Sequence, residues 1–126
     1  KDRTIVISLG MMDVHVQRIP IGGRIVSMKT VGRGHLPTSM PAHFKNVSIV
    51  TTLATAIGPV EVRQITGFWT KRIQNFVKPG DEVVLGQRMG RILLGSTVTL
   101  TLPARASFTV GQYDRVFGGE TVIGRY

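Results

Sequence analysis

Apolar and polar residues alternate with a period of two through much of this chain, the spacing of a β-strand with one enclosed face. Thr4 to Leu9 sets Ile5, Ile7 and Leu9 on one side, and Gly10 ends the pattern. Met11 to Arg18, read as extended, turns Val14 and Val16 inward and projects Asp13 and His15 together from the opposite face. Ile19 to Gly23 is a turn, and Arg24 to Thr30 is a strand carrying Ile25, Val26 and Met28. Asn46 to Ile57 and Val60 to Thr66 read as two strands joined at Gly58-Pro59. Val98 to Leu102 interleaves threonine with Val98, Leu100 and Leu102, and Ser96 shares the parity of those three. A strand beginning there carries a hydroxyl onto its enclosed face, directly after Gly95.

Glycine and proline punctuate these strands. Val31 to Phe44 holds Gly32, Gly34, Pro37 and Pro41, so it is a long loop, and loops of that length in a small domain are functional or mobile. His35 and His43 sit in it without a third ligand at metal spacing, which makes them ordinary loop residues and predicts no metal site. Gly67 to Ile73 places Phe68 and Trp69 beside Lys71 and Arg72, a core segment with a solvated edge or an edge that rests in a lipid interface. Val77 to Gln87 is echoed by Val110 to Glu120, each a glycine turn, a valine and a second glycine turn. Short strands cornered in this way predict a single mainly β domain over residues 1–126, a flattened barrel or sandwich resembling the lipoyl- and biotinyl-type barrel-sandwich hybrid. Carriers of that type need a lysine at the tip of a central hairpin; Leu94-Gly95-Ser96-Thr97 stands in its place, which argues against a carrier.

Charge and composition narrow the partners. Sixteen Lys and Arg against seven Asp and Glu give a formal +9, a field that favours nucleic acid or acidic lipid headgroups. The basic residues are scattered and no nucleic-acid-binding signature accompanies them, so the reading is no nucleic acid. Cysteine is absent, which excludes a disulfide framework and thiolate metal sites. No apolar run approaches the roughly 20 residues that span a bilayer. The chain opens on Lys1, which predicts further sequence upstream.

Two constellations carry chemistry. Asp13 stands two residues before His15, and a carboxylate so placed can fix the imidazole tautomer and raise its basicity, as a general base requires. Gly95 leaves its carbonyl unshielded ahead of the Ser96 hydroxyl, the pairing needed for a serine to attack its own backbone. Taken together, Asp13 to Pro20, Gly67 to Ile73, Pro79-Gly80-Asp81, Gly86 to Ile92, Leu94 to Thr97 and Gly119-Glu120-Thr121 resemble the phosphatidylserine decarboxylase family over nearly the whole chain.

That resemblance implies a pyruvoyl-dependent carboxy-lyase that makes its own cofactor. The serine matching Ser96 attacks the carbonyl matching Gly95, the resulting ester eliminates, and hydrolysis leaves a ketone at a new amino terminus, dividing the chain into 1–95 and 96–126. The implied reaction converts a serine phospholipid, phosphatidylserine or archaetidylserine, to the ethanolamine phospholipid with release of CO2. By the same resemblance His15 transfers protons, Asp13 orients it, and Arg18 suits the phosphate headgroup. The expected location is peripheral, at the cytoplasmic face of a membrane, and members of the family are often dimers, so a homodimer is expected. The other reading left open is a noncatalytic β-module of the same descent that binds lipid or a protein partner.

Overall fold

The computed structural model describes residues 2–9, 16–36, 40–67, 73–92, 96–116 and 122–125. Its strands are β1 (Arg3–Leu9), β2 (Val16–Arg18), β3 (Gly23–Val31), β4 (Ser48–Thr55), β5 (Gly58–Ile65), β6 (Ile73–Asn75), β7 (Glu82–Val83), β8 (Arg88–Ile92), β9 (Ser96–Leu102), β10 (Ser107–Phe108) and β11 (Gly124–Arg125). A 3-10 turn over Pro41–Lys45 precedes β4, and among the described residues no helix is long and apolar enough to cross a membrane. Six strands form an antiparallel sheet in the order β1-β9-β5-β4-β3-β7, with a three-stranded sheet β2-β8-β6 and a two-stranded one β10-β11. The described strands form a sandwich-like arrangement of open sheets.

The alternating pattern accounts for the layers. Val60 and Val62 on β5, Leu53 on β4, and Val98, Leu100 and Leu102 on β9 pack against Ile19, Met89 and Ile92 from the three-stranded side. Ile5 and Leu9 on β1 lie against this core as their spacing predicts. Strand β3 breaks the simple parity, because its pairing with β4 shifts between Ile25 and Ser27. That irregularity throws Val26 outward at 58% exposure, while Ile25 is buried and Met28 still packs on the core. Two apolar residues of opposite parity therefore face inward across a β-bulge.

The hairpin between β4 and β5 turns at Ala56-Ile57, two residues earlier than the Gly58-Pro59 junction expected from the sequence. Thr55 decides this: its Oγ1 donates to the Gly58 carbonyl at 2.7 Å and accepts from the Ile57 N–H at 3.2 Å, closing the turn before the glycine. The echo in the last third is a repeated turn. In Lys78 to Asp81 and Gly111 to Asp114 the fourth residue donates its N–H to the first carbonyl, while its carboxylate accepts the first N–H at 3.0 and 2.8 Å. Val84 to Gln87 repeats the device with an amide oxygen. The third position is left-handed in each, and Gly80 (φ 94°) and Gly86 (φ 83°) fill it in two, but Tyr113 (φ 69°) fills it in the other.

Candidate functional site

Ser96 is the first residue of β9 and 1% exposed. Its parity with Val98, Leu100 and Leu102 puts it on the inner face of the large sheet, as the alternation predicts. Among the described residues its Oγ has no hydrogen-bond partner. A buried hydroxyl left unpaired costs on the order of 1–3 kcal/mol, so the sheet retains this group at the expense of stability.

Other polar groups share that face. Gln64 on β5 pairs with Val98, two residues beyond Ser96, and Thr51 on β4 pairs with Val62. Both are fully buried, and Gln64 Oε1 and Thr51 Oγ1 also lack partners among the described residues. Gln64 Nε2 donates to Gln17 Oε1 at 2.9 Å, which ties the six-stranded sheet to β2 across an otherwise apolar interior. The inward side of β2 is thus that of Gln17, which is 8% exposed, while Val16 is only half-buried. The expectation that Val16 marks the enclosed parity is corrected: the amide takes that place because Gln64 supplies it with a partner.

On the opposite face of the sheet the 3-10 turn over Pro41–Lys45 brings His43 against β9. The imidazole is 5% exposed, with Nδ1 2.7 Å from the Met40 carbonyl and Nε2 3.0 Å from Thr97 Oγ1. A carbonyl only accepts, so Nδ1 carries the proton; in the neutral ring Nε2 then accepts from the Thr97 hydroxyl. Thr97 directly follows Ser96, so the ring anchors the start of β9. Asn46, fully buried, holds the preceding loop in place: Oδ1 accepts the Leu36 N–H, and Nδ2 donates to the Leu36 and Thr66 carbonyls at 2.9 and 2.8 Å. His43 is therefore not the ordinary loop residue expected from the sequence, whereas His35 contributes a 3.1 Å contact to Thr66 Oγ1.

Of the residues singled out from the sequence, Ser96 and Arg18 are described. Arg18 is exposed and donates through Nη1 to the Gly86 carbonyl at 2.8 Å, bracing the Val84–Gln87 turn. Asp13, His15 and Gly95 lie outside the described residues, as do Phe68 to Arg72. Gln64 was legible in retrospect, because it shares the parity of Val60 and Val62 and so occupies an enclosed position. His43 had no such periodic signal; only Pro41, opening a 3-10 turn, hinted at local order.

A family model described as phosphatidylserine decarboxylase matches residues 1–124. The chain is 35% identical over 123 residues to a protein of Methanococcoides burtonii named "Putative archaetidylserine decarboxylase proenzyme", covering 98% of this chain and 59% of that one. A protein of the same name from Methanosarcina acetivorans is 37% identical over 123 residues, with the same coverage of 98% and 59%. A "Phosphatidylserine decarboxylase proenzyme" of Chlorobium chlorochromatii is 36% identical over 126 residues, covering 95% of this chain and 57% of its own. The chain thus spans less than two thirds of the length of these relatives. No solved structure matches it.

Proposed function

This chain belongs to the phosphatidylserine decarboxylase family, and from that premise we propose that it is the core of a self-cleaving carboxy-lyase that cuts its backbone ahead of Ser96 and removes the carboxyl group of a serine phospholipid as CO2. The supporting observation is the Ser96 hydroxyl, enclosed at the first residue of β9 and without a partner among the described residues. A nucleophile that ends its life in a cut needs no permanent hydrogen bond, and burial keeps water from competing for the ester it forms. Those surroundings fit a pyruvoyl group made from Ser96, which when formed supplies a ketone for the substrate amine and a sink for the electrons of the departing carboxylate.

The chain's own residues then take these roles. Ser96 Oγ attacks the Gly95 carbonyl, the backbone nitrogen leaves as the amine, and the linkage becomes an ester. His15 moves protons, with Asp13 fixing its tautomer. The anchoring of Thr97 by His43 holds the start of β9 while the bond ahead of it is exchanged. Arg18, exposed beside Gly86, faces the phosphate of the headgroup, and the +9 balance draws the protein to an acidic lipid surface, where it acts peripherally at the cytoplasmic face, as a homodimer.

Intact-mass measurement on the full chain tests the reading. The expected result is a pair of fragments parted between Gly95 and Ser96, the smaller carrying a carbonyl that reacts with hydroxylamine, and a Ser96→Ala variant that stays whole and folded. A wild-type chain that remains intact after long incubation with serine phospholipid vesicles overturns it and leaves the noncatalytic module.

A further inference from the structure

We propose that Gln64, backed by Gln17, serves Ser96 Oγ through both halves of the backbone cut: as the acceptor for its hydroxyl proton, then as the donor to the same oxygen when it departs with negative charge. The inference rests on the self-cleavage reading of Ser96 and adds a residue to it. Three buried oxygens without a hydrogen-bond partner among the described residues, Thr51 Oγ1, Gln64 Oε1 and Ser96 Oγ, lie on one face of three neighbouring strands, with Gln64 on the middle one. Gln64 is paired with Val98, so Ser96 is its diagonal neighbour on β9. Diagonal neighbours stand about 7–8 Å apart at the backbone, within reach of a long side chain, although Gln64 Oε1 and Ser96 Oγ are not hydrogen-bonded to each other in the structure. An apolar residue at either position would remove an orphan polar group from the core, so these groups are retained for something other than packing.

The chemistry asks opposite things of one neighbour. Before attack, Oγ–H needs an acceptor that orients it, and Gln64 Oε1 is an acceptor unused among the described residues. After the shift to the ester, a base takes the Ser96 Cα proton, a double bond forms between Cα and Cβ, and the Cβ–Oγ bond breaks. Its electron pair goes to Oγ, which leaves as part of the Gly95 carboxylate and needs a donor. A primary amide presents O and NH2 at nearly superimposable positions, so half a turn converts the acceptor into the donor. Gln17 supplies the oxygen that Gln64 Nε2 meets at 2.9 Å before the cut. A carboxylate at position 64 would supply only the first role, and an apolar side chain neither.

The test uses the full chain and reads the cut itself by intact mass, with hydroxylamine present in parallel samples to trap the ester. Trapped ester gives a fragment ending in a Gly95 hydroxamate and one beginning with unmodified serine. Gln64→Met, shown folded by its thermal transition, should cleave about a hundredfold more slowly than wild type, the scale of losing one donor to a developing oxyanion. Gln64→Glu should form ester but pass it on slowly at neutral pH, so that trapped ester accumulates. Its elimination should recover as pH falls and the acid regains a donating proton, relative to wild type measured alongside. A folded Gln64→Met that cleaves at the wild-type rate overturns the assignment. If that variant does not fold, a Gln64→Glu ratio of trapped ester to final product that matches wild type at every pH overturns it instead. A wild-type chain that never cleaves refutes self-cleavage itself, which distinguishes the two failures.

Discussion

Removing the Thr97 hydroxyl should destabilise the fold through a group on another element. The bond between His43 Nε2 and Thr97 Oγ1 is 3.0 Å long, and its two residues are 5% and 1% exposed. Thr97→Val keeps the branched shape and deletes the donor, leaving a buried ring nitrogen unpaired. The expected loss is about 1–3 kcal/mol, more than half an ordinary hydrogen bond, because the orphaned acceptor bears its full desolvation cost. His43→Phe removes the same bond from the other side and takes the Nδ1 donor from the Met40 carbonyl, which keeps the backbone N–H of residue 43. The double variant should then lose about 1 kcal/mol less than the sum of the singles, since the bond can be broken only once. Urea unfolding of all four members, each carrying Ser96→Ala so that every chain stays uncut, measures this coupling. A coupling below about 0.3 kcal/mol, the scatter expected of independent sites, would refute the idea that the imidazole anchors the start of β9.

Two further perturbations test the repeated turns. Tyr113 is 95% exposed and holds the left-handed position that glycine fills in the companion turns, so Tyr113→Gly should raise stability by up to about 1 kcal/mol, strain relief less the entropy that glycine costs; a lowered melting temperature would contradict this. Asp81 has its carboxyl pKa lowered from 3.8, first by the backbone N–H of Lys78, with desolvation acting the other way and the Lys78 side chain adding to the lowering. A depressed folded value means that the stabilisation is present above the unfolded pKa and is lost as pH falls through the folded one. The gap between wild type and Asp81→Asn should accordingly be constant at neutral pH and close in acid, and a gap that persists there would show that the charge is not its source. The neighbouring Lys78–Asp81 ion pair, at 3.4 Å with the lysine 82% exposed, adds little.

How far the chain could be read depended on whether a position obeyed a period. β1 and β9 were legible because their enclosed residues fall on every second place, and the same count put Ser96 inside. The Val26 bulge was not, since one inserted residue reverses parity without leaving a mark in composition. Gln17 and Gln64 were passed over because an amide reads as solvated, although each has the other to bond to. His43 is enclosed only because a 3-10 turn folds a distant loop onto β9, and a contact separated by 54 residues has no local signature. The Gly95-Ser96 pair raised the question of a serine facing its own backbone, and the family resemblance implied the chemistry; the surroundings of the serine came from which strands lie side by side.

Strand β9 has a neighbour on each flank: it is laddered to β1 from Leu9↔Ser96 to Arg3↔Leu102 on one side and to β5 on the other. The proposed scission at its leading end would therefore free a terminus without freeing a polypeptide. The short piece would stay threaded between two strands of the long one, and the nicked molecule should travel as a single particle until it is denatured.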